Sequence, residues 1–141
     1  MNINELRIGS WIFDSGDEQK CFQVEQICKN NDGFSGYYIV FRNGSFKSSI
    51  DSDLIQPIEL TTEVLEKCGG RISDSGVNWK NPEYEIWVFR DMLVGRLNGK
   101  FYLYNNCEDD FYSWYSPEIT YLHQFQNLYY CLCSEELEVK L

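Results

Sequence analysis

One histidine, His123, and six cysteines are the residues of this 141-residue chain best suited to proton transfer or nucleophilic attack near neutral pH. A histidine within hydrogen-bond reach of a thiol would make a base and nucleophile pair. On a helix, however, His123 and Cys131 lie two turns and ~12 Å apart along the axis, too far to share a proton. Cys107 would have to reach His123 through the fold. Cys131 and Cys133 form a C-x-C whose side chains diverge by about 200° on a helix. With one imidazole and no C-x-x-C, a zinc site would have to gather thiols from the whole chain. Glu108-Asp109-Asp110 holds carboxylates of the type that hydrolyse glycosidic bonds, yet three consecutive acids also make a solvated turn. A glycine-rich phosphate loop and a nucleophile elbow are both missing. The expectation is a chain with no catalytic residues, no metal and no cofactor.

The element that positions His123 is unusual in its composition. From Ile119 to Cys133 there is no Asp, Glu, Lys or Arg, although 24% of the chain is charged. At about 100° per residue, Leu122, Phe125, Leu128, Tyr129, Leu132 and Cys133 fall on one arc roughly 140° wide. His123, Asn127 and Tyr130 share the opposite side, with Gln124 and Cys131 beside them. This pattern predicts a central helix over 119–133, covered on both sides by its own sheet or by a second subunit. It is too short and too rich in amides to cross a bilayer. Gln126, at the edge of the apolar arc, is expected to be a buried amide.

The preceding chain reads as short strands and tight turns. Leu6 to Phe13 is a glycine turn into an aromatic strand, and Cys21 to Cys28 alternates loosely. Asn43-Gly44 and Asn98-Gly99 each join two β-rich runs and predict two-residue hairpins with type I′ turns. Thr61 caps a short helix, Thr62 to Cys68, which Gly69-Gly70 ends. Residues 71–82 are polar and irregular. Strands follow over 84–89, 92–97 and 100–104, a further one over 111–115, and a last edge strand over 136–141. The predicted fold class is α+β in a single domain, 1–141. An SH3-like antiparallel sheet (5–58) is followed by an antiparallel meander packed on the C-terminal central helix (61–141).

The balance of 22 acidic against 12 basic residues, net −10, repels phosphate backbones and excludes general nucleic-acid binding. The N-terminus shows no basic start followed by an apolar run, and nothing is long enough to span a membrane, so a cytoplasmic chain with reduced thiols is expected. A surface this acidic suits a basic protein partner, and its many aromatic residues can anchor an interface. The candidate binding residues are His123, Gln124, Asn127, Tyr130, Trp114 and Tyr115. A pocket lined by the aromatic residues and amides, holding a nucleotide-like small molecule, is the alternative to protein contact. Because the polar helix side carries no charge, a homodimer with His123, Asn127 and Tyr130 near the contact is also expected.

Three blocks carry a family resemblance: Leu6-Arg7-Ile8-Gly9-Ser10-Trp11; Pro57-Ile58-Glu59-Leu60-Thr61 with Glu63 to Lys67; and above all Tyr121-Leu122-His123-Gln124-Phe125-Gln126-Asn127-Leu128-Tyr129-Tyr130 through Glu135-Glu136-Leu137. Together they resemble an uncharacterised family of short proteins encoded by gut anaerobes, their mobile elements and their phages. The resemblance leaves 70–118 unmatched. Its members usually carry glycine where this chain has Ser134. It implies a phage-like setting, in which a host defence or regulatory protein is a sensible target, and it implies no chemistry.

Overall fold

The computed structural model describes residues 2–16, 19–31, 36–50, 52–73, 85–90, 92–104 and 116–141. The fold is α+β: among the described residues there are small antiparallel sheets and two α-helices, the second of them near the C-terminus. The chain divides into two compact units, Met1–Glu59 with Tyr121–Gln124, and Leu60–Thr120 with Phe125–Leu141.

The first unit opens with a 3-10 turn, Ile3–Glu5, and then forms β1 (Trp11–Asp14), β2 (Lys20–Gln23), β3 (Gln26–Lys29), β4 (Tyr37–Phe41), β5 (Phe46–Ser49) and β6 (Ile55–Pro57). The run expected as one strand from Cys21 to Cys28 is bent instead. Val24 N–H donates to Ser10 O at 2.9 Å while Glu25 N–H donates to Val40 O at 2.8 Å, so consecutive amides serve different sheets. β2 therefore joins the order β2-β1-β6, and β3 joins β3-β4-β5. The unit thus holds two three-stranded antiparallel sheets, with β1 between β2 and β6 and β4 between β3 and β5. Its core is Leu6, Ile12, Val24, Ile39, Phe41, Ile50 and Ile55, flanked by Phe22, Ile27 and Phe46.

The Asn43-Gly44 turn forms with both residues at positive φ (56° and 75°) and Ser45 N–H donating to Arg42 O at 3.2 Å. The ladder nevertheless stops at Phe41↔Phe46, because Arg42 is itself left-handed at φ 58°. That conformation is compatible with its ion pair to Asp14, which is 1% exposed. The guanidinium lies over the rings of Phe46 (4.6 Å), Phe22 (5.1 Å) and Phe41 (5.7 Å). A carboxylate so enclosed needs such a partner, since an unpaired buried charge is costly.

In the second unit, α1 (Thr62–Lys67) starts as expected: Val64 N–H donates to Thr61 Oγ1 at 3.2 Å. At its end Gly70 N–H donates to Leu65 O at 2.9 Å, and a Cβ at Gly70 would run into the Phe89 ring. Arg71–Ile72, expected to be irregular, is a short strand, β7, on the edge of the order β10-β9-β8-β7. β8 (Glu85–Phe89), β9 (Met92–Leu97) and β10 (Lys100–Tyr104) are the meander. β9 and β10 pair Leu97↔Lys100 directly across Asn98-Gly99. The helix α2 (Leu122–Cys133) packs on it, Phe125 meeting Phe89 edge to face at 4.9 Å.

α2 begins three residues later than expected. Ile119 bridges Phe101 and Tyr121 bridges Glu59, so the residues before the helix are spent on β-type pairing. No strand forms over 136–141. Leu137 is buried, but Lys140 N–H donates to Lys67 O at the end of α1, and a helix end offers no ladder to extend. The expected strand over 111–115 lies outside the described residues.

Candidate functional site

The first turn of α2 gathers three of the chemically able side chains. Tyr121 N–H donates to Gln124 Oε1 at 3.1 Å, the backward half of a capping box, and this orients the Gln124 amide. The Gln124 amide donates from Nε2 to Glu5 Oε2 at 3.1 Å. His123 Nε2 lies 3.3 Å from the same carboxylate oxygen, and its ring stacks on Tyr121 at 5.7 Å with 9° between the planes. An ionised carboxylate can only accept, so the Nε2 that faces Glu5 carries a proton. Nδ1 is buried with no hydrogen-bond partner.

The electrostatics follow from these contacts. Hydrogen bonds from Gln124 and then from His123 favour the charged carboxylate and hold Glu5 below the usual range. Burial pushes His123 downward, and the hydrogen bond and charge of Glu5 offset that only in part. Protonation would turn Nδ1 into a buried donor with no acceptor, which is the structural counterpart of that shift. At 1% exposure the ring offers no face to a substrate. The site is a clamp between the 3-10 turn and the start of α2.

The expected side-by-side stripe therefore divides. His123 is buried, Gln124 and Asn127 are half-buried, and Tyr130 is 47% exposed. His123, expected among the binding residues and near a dimer contact, is thus placed inside its own unit at 1% exposure. Trp114 and Tyr115 lie outside the described residues, as do Cys107 and the acidic run Glu108-Asp109-Asp110. The buried arc of α2 is Leu122, His123, Phe125, Gln126 and Tyr129, about 70° round the helix from the expected one. His123 and Gln126 turn inward and Leu128 and Leu132 turn outward. Hydropathy ranks an imidazole as polar, but once its Nε2–H is hydrogen-bonded to Glu5 the ring packs among apolar neighbours. Gln126 was expected inside and is buried.

Outside this clamp, the Cys68 thiol is pushed up to about 12 by burial and cannot act as a thiolate nucleophile near neutral pH. A cavity of 190 Å³ beside it is lined by Glu66, Lys67, Cys68, Gly69, Glu138 and Lys140. Small-molecule sites are usually about 300–1,000 Å³. Among the described residues, no three His, Cys, Asp or Glu side chains gather as a metal site, and no helix is long and apolar enough to cross a membrane.

Displayed apolar surface is found instead at the far end of α2. Leu132 is 57% exposed, and Cys131 beside it is exposed. The residues missed from sequence were Glu5, Asp14 and Arg42, whose partners lie far away in the chain. Compared with known proteins, the chain matches no family model, no curated protein and no solved structure.

Proposed function

We propose that this chain is a non-enzymatic binding protein that works through protein–protein contact. The observation that carries this reading is the exposed end of α2, where Tyr130, Cys131 and Leu132 face water without an intervening charge. Monomeric surfaces rarely leave neighbouring apolar side chains uncovered, whereas interfaces concentrate aromatic and aliphatic anchors. Two of the groups able to do chemistry are withdrawn from it: the imidazole is clamped and enclosed, and the Cys68 thiol is held protonated. The net charge of −10 favours a basic target, and the family resemblance sets a host defence or regulatory protein as the class to try first. The test is capture from host lysate by the full chain and by Tyr130→Ala/Leu132→Gln. Loss of the captured proteins in the variant, with circular dichroism unchanged, supports the reading. An identical captured set overturns it.

A further inference from the structure

α2 presents a continuous outer strip in the second unit: Asn127 and Leu128 half-buried, Cys131 and Leu132 exposed. These positions are spaced i, i+1, i+4 and i+5, so they line one side of two successive turns. No member carries charge.

We infer that this strip is a self-association surface whose occupant is a second copy of the same chain, packed helix to helix about a two-fold axis. The inference rests on the reading of α2 as a protein-contact element and names the partner at that element. Its argument is electrostatic. Two chains of net −10 repel wherever their acidic surfaces meet, and a charge-free strip is where they approach at least cost. A two-fold contact sets one strip against itself, so the same neutral, apolar character is required of both sides, and this strip has it.

The spacing fixes the contact further. An antiparallel pair centred between Leu128 and Leu132 places each Leu132 on the other copy's Leu128. The two Cys131 residues then differ by only about 3 Å along the axis, at the 8–10 Å separation usual for packed helices. Glu135, which pairs with Arg90 in its own chain, falls at the far end of the contact from its equivalent in the other copy. The end carboxylates are thus kept apart. Cys133, on another side of the helix, points away from the axis of symmetry.

The experiment is sedimentation of the full reduced chain from low to high micromolar concentration, joined to mild oxidation. A concentration-dependent dimer is expected, lost in Leu132→Asp with circular dichroism retained. A disulfide-linked dimer should form through Cys131, vanish in Cys131→Ser and persist in Cys133→Ser. A wild type that stays monomeric at high micromolar concentration overturns the inference, as does a dimer indifferent to Leu132→Asp. Should the chain be monomeric while Tyr130→Ala/Leu132→Gln still loses its captured partner, the second-copy occupant fails and the protein-contact reading stands.

Discussion

The two ends of α2 are built from the same kind of residues and meet opposite fates. The first turn holds Leu122 and His123, both almost fully enclosed, with Gln124 and His123 tied to one carboxylate of the 3-10 turn. The last turn holds Tyr130, Cys131 and Leu132, all exposed, and closes on Ser134. Neither end carries charge. The difference teaches that a charge-free helix is marked for covering but not for what covers it: the chain's own Glu5 at one end, open surface at the other.

The largest effect that would break this comparison is Leu122→Ala. Leu122 is fully buried, and removing its side chain should cost about 3 kcal/mol through lost transfer energy and the cavity left behind. Urea denaturation measures it; a cost near that of a surface substitution would mean that the first turn is no better covered than the last.

The next effect is acid sensitivity. His123 titrates lower in the fold than in the unfolded chain, chiefly through burial, so as pH falls the unfolded state binds its proton first. This contribution to stability is complete above the unfolded value of about 6.5 and is lost as pH drops from there through the folded value. Glu5, lowered by its hydrogen bonds, adds a second loss at more acidic pH, below the ordinary carboxylate value. Because His123 is the single histidine, His123→Gln should flatten the first of these losses and leave the part of the second that the Gln124 hydrogen bond supplies. Stability measured by urea midpoint against pH checks both; an unchanged upper slope in the variant would remove His123 from the account.

A smaller effect sharpens the contrast at the other end. Ser134 N–H donates to Tyr130 O at 2.9 Å with Ser134 at φ 57°, the left-handed position that usually ends a helix on glycine. Serine tolerates it at a cost of roughly 1 kcal/mol. Ser134→Gly should therefore raise the denaturation midpoint by about that free energy, less a few tenths for the added freedom of the unfolded chain. A fall in midpoint would show that Ser134 contributes a contact beyond its backbone.

How much of this was legible follows from where each cause sits in the chain. Asn98-Gly99 needed only its own two residues, and Leu97↔Lys100 pair across it as read. Asn43-Gly44 is the same dipeptide, but the ladder stops a pair early at Arg42, which is left-handed and paired to Asp14, 28 positions away. The cap at Thr61 and the meander on α2 were readable from spacing. The burial of His123 was not, since its reason is Glu5, 118 positions earlier. Periodicity scores a histidine by its average polarity, so the arc was set too far toward Leu128 and Leu132. The tail from Glu136 alternates as a strand would, with Leu137 inside, but its neighbour is the end of α1 and no strand forms.

The smallest expected effect closes the comparison with Leu122. Leu132→Ala removes the same side chain from the same helix, but from a position 57% exposed, so little apolar surface leaves its surroundings and no cavity forms. In dilute solution the cost should stay within about 0.5 kcal/mol, the range for surface substitutions. Alanine is the best helix former, so propensity works slightly in its favour. The null result is informative only with concentration as a second axis. Should the strip bind a second copy, the wild-type midpoint rises with protein concentration, because dimerisation draws on the folded state alone. Leu132→Ala should then lose that rise while matching the wild type at the dilute end. A variant that is weaker already at low concentration would place Leu132 in the chain's own packing, and the two ends of α2 would no longer differ in kind.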